Sequence, residues 1–231
     1  MRTSSPSCLL QIAIVALFFI FSLQVEAMPE SSQTKTRNQS HSFDKQPDFP
    51  KNASAYNLTI PEGSHLKYLG VGFGTQNYTC SLASGTPLWK PVGALAELRD
   101  ITNITTDPIT FARAAIKRDA KEKLADYPVL AIHYFVPRKP APLPAFFFNP
   151  EIVPDDKKGD FVVATKIGAM PSPHHPTRNV AWLALRVIEG DVARYVFRTN
   201  THLGVAPSPE HCTSEGQEVD RKYSALYWFY S

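Results

Sequence analysis

Residues Asn179–Cys212 read NVAWLALRVIEGDVARYVFRTNTHLGVAPSPEHC. Two apolar runs flank Glu189-Gly190-Asp191, a polar segment holding the glycine that a tight reversal favours. The stretch predicts two adjacent antiparallel strands, then a Gly/Pro loop that delivers Cys212. The first run is apolar on both faces, as expected of a strand inside the fold. In the second, Arg194 and Arg198 alternate with Tyr195 and Phe197, which predicts both arginines facing outward from a half-buried strand, as a solvated face by default and a site for an acidic ligand as the alternative.

The same grammar extends through the chain. Strand-like runs cover His65–Val71, Thr75–Ser81, Ala94–Leu98, Val129–Val136, Phe161–Gly168 and Lys222–Tyr230, separated by Pro and Gly. Gly70, Gly72 and Gly74 lie between the first two runs and predict a bend or bulge there. They are followed by TQNYTC, which favours a strand, so they do not form a dinucleotide-binding turn that opens a helix. One helix is expected over 110–127, with Arg118–Glu122 and Asp119–Lys123 as i,i+4 pairs and Pro128 as its stop. Residues 137–154 hold six prolines and predict an irregular excursion in which Phe146-Phe147-Phe148 covers the core or lines a groove. The fold class is mainly β: an antiparallel β-sandwich or barrel-like domain with one helical insertion.

The N-terminal sequence predicts a compartment. Arg2 precedes an apolar stretch from Cys8 to Leu23, and Val25-Glu26-Ala27 offers a cleavage site, so residues 1–27 read as a signal peptide. Residues 28–53 are polar and without periodicity, which predicts a disordered, glycosylated tail, with a single β-rich domain over 54–231. Five sequons, at Asn38, Asn52, Asn57, Asn77 and Asn103, agree with a secreted, extracellular glycoprotein. Beyond the signal peptide the cysteines are Cys80 and Cys212, expected to form a disulfide in an oxidising compartment. Alternation places Asn77 opposite Cys80, on a solvent face where a glycan fits. A net charge of +3, with dispersed Lys and Arg, argues against nucleic acid, and no membrane association is expected after signal cleavage.

Candidate chemistry is sparse. There is no G-x-S-x-G elbow and no H-E-x-x-H helix. Asp160, Glu189 and Asp191 are not paired by the sequence into a glycosidase site. His133 shares a strand face with Val129, Ala131 and Phe135 and reads as a buried, hydrogen-bonded histidine, with a weaker catalytic reading. Lys166 shares a face with Val162 and Ala164. His174 and His175 sit between prolines, and His202 follows the second strand of the opening stretch; these and Lys166 are the candidate binding residues. Neither a metal nor a cofactor is assigned. YSALYWFY, residues 223–230, reads as a core strand and only secondarily as an aromatic platform for sugars.

Taken in order, GVGFGTQNYTC, AIHYF, P-A-F, the strand carrying Lys166 with its Pro-rich loop, VAWLALR, VFRTNTHLGVAP, Cys212 and YSALYWFY form a set. The set resembles the secreted fungal branch of the family catalogued as domain of unknown function 3455, over roughly Tyr56 to Ser231. Fungal members are often labelled malate dehydrogenase, but that activity needs a dinucleotide fold the residues here contradict. The resemblance supplies no catalytic residues. It also departs at His202-Leu203-Gly204, where the family tends to show paired glycines. The leading functional expectation is a non-enzymatic protein that binds cell-wall polysaccharide or a host surface protein. A hydrolase of glycans or esters using His133, and a β-barrel binding a small ligand, are the alternatives.

Overall fold

The structure is a computed structural model that describes residues 48–51, 53, 58–152 and 160–231. The expected signal peptide and the sequons at Asn38, Asn52 and Asn57 lie outside the described residues. Eight antiparallel strands run in chain order: β1 (Leu66–Ser81), β2 (Leu88–Asp100), β3 (Val129–Val136), β4 (Leu143–Phe148), β5 (Phe161–Met170), β6 (Trp182–Glu189), β7 (Tyr195–Leu203) and β8 (Glu218–Tyr230). β8 pairs with both β7 and β1, so the sheet closes into a barrel with no free edge. The barrel, not the sandwich, is the observed architecture.

Alternation splits the buried residues into two layers. Ala96, Leu98, Phe146, Phe148, Val162, Ala164, Tyr223, Tyr227 and Phe229 fill the barrel interior. A second layer lies on the outer face of β1, β6, β7 and β8, where Val71, Trp182, Phe197, Leu226 and Trp228 pack. That outer face is covered by helix α1 (Pro108–Ala115), by Leu124, and by Phe49, Ala53 and Leu58. The Ser224 hydroxyl donates to the Ala112 carbonyl at 2.6 Å and ties α1 to β8. Phe49 meets Phe197, Trp228 and Tyr230 edge-on, with ring centroids 5.1, 5.5 and 6.3 Å apart. At roughly 1.5–3 kcal/mol for each large apolar side chain removed from water, this layer is a second core in its own right. It also explains why the two strands of the opening stretch and β8 carry apolar residues on both faces.

Several expectations are corrected. Packing begins earlier than residue 54, because Phe49 and Ala53 already belong to the outer layer. A single aromatic among polar residues has no period, yet its ring fits the sheet. The helix over 110–127 is two short helices, α1 and α2 (Ala120–Lys123), broken at Ile116. Pro108, Ala112 and Ala115 face the barrel, and continuing their spacing would bring charged Asp119 and Glu122 onto that face. The break re-phases the chain so that Ala120 and Leu124 are buried instead. Of the two expected helical pairs, Asp119–Lys123 forms, at 2.7 Å. The proline-rich excursion contains β4, with only Pro144 inside the ladder; Phe146 and Phe148 point into the interior, while Phe147 stacks outside between Tyr134 and Phe161.

The glycines of β1 make no bend. They lie within one continuous strand whose register shifts later, at Asn77 and Tyr78. A Cβ on Gly72 would stand 2.6 Å from the Tyr227 ring, so its absence makes room for that ring in the interior.

Cys80 and Cys212 form a disulfide across 132 residues. In the chain-entropy description a loop of that length is worth about 5 kcal/mol. Asn103 is exposed in the turn after β2. Asn77 lies on the outer face as alternation predicts, but it is only half-exposed, on a strand paired on both sides, and its Oδ1 is buried without a partner.

Candidate functional site

The barrel interior is solid at one end and open at the other. Phe146, Phe148 and Phe229 close the solid end, with Phe229 centred 5.2 and 5.0 Å from the other two rings. Beyond Phe146 and Tyr227 lies a cavity of about 640 Å³, lined on its buried side by Gln76, His133 and Arg198. Its exposed lining includes Pro91, Ala141, Pro142 and Lys166.

Arg198 corrects the sequence reading most sharply. It is 8 % exposed and lines the lumen, whereas Arg194 is exposed as expected. The alternation on β7 runs the other way: Tyr195 and Phe197 pack in the outer aromatic layer and leave the interior to Val196 and Arg198. The guanidinium donates to the Ala181 carbonyl from Nη2 at 2.9 Å and from Nε at 3.3 Å. A longer contact, 3.5 Å, reaches Gln76 Oε1, and Gln76 in turn donates to the Gly93 carbonyl. Arg198 lies 6.0 Å from the centre of the Tyr223 ring, and the Tyr223 and Tyr227 hydroxyls share a 2.8 Å hydrogen bond. Burial raises the pKa of both phenols. Among the described residues no carboxylate pairs with Arg198, and none lines the cavity.

His133 is buried, as the sequence reading holds. Its ring stacks on Phe146 with centroids 4.3 Å apart, and Nδ1 donates to the Ala145 carbonyl at 2.8 Å. Burial, with the positive charge of Arg198, lowers its pKa to about 4. The ring is therefore neutral near pH 7, with its proton on Nδ1 and a lone pair on Nε2.

The sequence candidates divide between two places. His133 and Lys166 line the lumen cavity. His174, His175 and His202 instead line a second pocket of about 420 Å³, beside α1. The two pockets have no lining residue in common. Among the described residues no group of three or more His, Cys, Asp or Glu is arranged to hold a metal ion. No helix among them is long and apolar enough to cross a membrane. Gln76 and Tyr227 are lumen residues that sequence reasoning missed, and Arg198 is one that it named but placed on the outward face. The available signal was that both strands beside Arg198 are apolar on two faces, which forces any polar residue there into one of two buried layers.

A family model described as a protein of unknown function (DUF3455) matches residues 61–231. The chain belongs to this family. The match takes in every strand of the DUF3455 barrel and both pockets, and leaves Phe49, Ala53 and Leu58 of the outer layer ahead of it. No curated protein and no solved structure matches the chain.

Proposed function

We propose that this DUF3455 protein is a secreted binding protein whose barrel lumen takes a small, largely apolar organic anion, with Arg198 as its counter-charge. The observation that carries the reading is a buried arginine with no carboxylate partner in a cavity that has room for a ligand. Burying an unpaired charge costs several kcal/mol, a cost that an anion in the cavity offsets. Phe135, Leu183 and Leu185 supply the apolar walls, and Lys166 at the exposed lining adds a second positive charge that steers anions inward. The lone pair on His133 Nε2 gives the lumen one acceptor for a ligand hydroxyl.

Binding is better supported than hydrolysis. His133 spends its Nδ1 proton on a backbone carbonyl and has no carboxylate to orient it, and no nucleophile–base pair lines the cavity. A polysaccharide-binding platform on β8 has no support either, since Tyr223–Tyr230 is buried on both faces. The secreted setting rests on the N-terminal apolar stretch, the disulfide and the exposed sequon at Asn103.

The test compares a naphthalene carboxylate with its neutral carboxamide, titrated into the purified chain. The acid binds, and Arg198→Met weakens it by about 2 kcal/mol or more, roughly 30-fold, while leaving the carboxamide unchanged. Equal binding of acid and carboxamide to the native chain, or binding of neither at millimolar concentration, sinks the proposal.

A further inference from the structure

The second pocket brings together the side chains of Arg113 on α1, His174 and His175 from the loop after β5, Trp182 on β6, and Asn200 and His202 on β7. No carboxylate is among its lining residues. Burial, and after it the electrostatic influence of Arg113 and His174, lowers the pKa of His202. Trp182 forms one wall; it is 2 % exposed, and its indole N–H is buried without an acceptor. Nature rarely leaves such a donor unsatisfied.

The backbone is bent to make this place. Among the described residues, the non-glycine residues with positive φ are His175, Asn200 and Leu203, at 53°, 49° and 60°. The first two line the pocket, and the third donates its N–H at 2.7 Å to Oδ1 of Asn179, another lining residue. The Asn179 amide also donates to the His174 carbonyl at 2.6 Å and clamps the loop against β7. The β7–β8 register slips between Thr199 and His202, and that slip re-aims Asn200 and His202. Left-handed backbone at non-glycine residues is uncommon, and here it gathers at and beside one pocket.

We infer that this pocket is a binding site for a small oxyanion of the phosphate or sulfate type, held by Arg113, His202 and the indole N–H of Trp182. Donors arrive from a helix, a loop and two strands, so they suit a group with oxygens pointing in several directions more than a planar carboxylate. The site is independent of the lumen, and either reading stands if the other fails.

The chain has three tryptophans and so three indole N–H resonances. Those of Trp89 and Trp228 have acceptors in Ser208 O and Thr199 Oγ1, leaving Trp182 as the reporter. Titrating inorganic phosphate or sulfate into the full chain at pH 6 moves the Trp182 signal downfield and saturates. Arg113→Gln and His202→Gln each raise the dissociation constant about tenfold or more, the size of one lost charge-assisted hydrogen bond. Both variants keep the native spectrum elsewhere, since Arg113 is exposed and His202 half-buried. The titratable groups facing the anion are Arg113 from α1, His174 and His175 from the loop, and His202 from β7. Binding therefore weakens as pH rises and His202, whose pKa burial holds below the ordinary histidine value, loses its proton. A Trp182 signal that stays still at tens of millimolar phosphate overturns the inference. So does acetate binding as tightly as phosphate, or affinity that is unchanged in both variants.

Discussion

On β7, Tyr195 and Phe197 turn outward into an aromatic layer, while Val196 and Arg198 turn inward to the lumen. Both faces are hidden from water, yet their chemistry differs. The outer face is apolar and meets Phe49, Trp228 and Tyr230, so its contribution is cohesion. The inner face carries a charge that no carboxylate matches and lies beside empty volume, so it detracts from stability unless something enters. In a barrel with a covered wall, burial alone does not separate core from site. Unmatched polarity does.

The contrast makes the outer layer the place where stability is most easily lost. Phe197→Ala is expected to cost about 3–5 kcal/mol in urea unfolding, with the folded fraction binding the lumen anion normally. A loss under about 1 kcal/mol would mean that the outer layer is a veneer. A smaller effect belongs to the inner face and to pH. The native ring of His133 has its pKa lowered to about 4, whereas in the unfolded chain it takes a proton below about 6.5. The unfolded state then binds more protons between those values. Stability is full above pH 6.5 and falls, on the order of 3 kcal/mol in total, as pH drops toward 4. Unfolding midpoints compared between the native chain and His133→Gln isolate that slope; equal slopes would show that His133 is not shielded. The smallest effect concerns the uncovered surface. Expressed in a secreting eukaryotic host, Asn103→Gln is expected to lose one glycan's mass with stability changed by less than about 0.5 kcal/mol, and Asn77→Gln to lose no mass. Mass spectrometry of the two variants reads this directly.

Much of the architecture was legible because a strand's period is short and its signals local. The turn at Gly190, the β6–β7 hairpin and the burial of His133 follow from neighbours in the chain, and the pairing of Cys80 with Cys212 from the cysteine count beyond the expected signal peptide. What was not legible depends on partners far away. Nothing near Arg198 says that Phe49, about 150 residues earlier, covers the other side of its strand. The rule that aromatic residues face in and arginines face out presumes one core, and this fold has two. β4 was hidden for a different reason: proline content masked an alternation that pairing with its chain neighbours β3 and β5 enforces. The candidate histidines stand out in the sequence as residues, but their division between two pockets depends on long-range pairing, including the register slip near His202.

The pairing of β8 with β1 has a kinetic consequence. Leu226 and Trp228 complete the outer layer while Tyr227 and Phe229 complete the inner one, so neither core is whole until this seam forms. Because the seam joins segments far apart in sequence, closing it carries a high loop-closure cost, which is expected to make folding slow. Until then the other strands display apolar surface on two sides at once. A chain held open at that seam exposes both apolar layers, so slowing its closure is expected to favour self-association over folding.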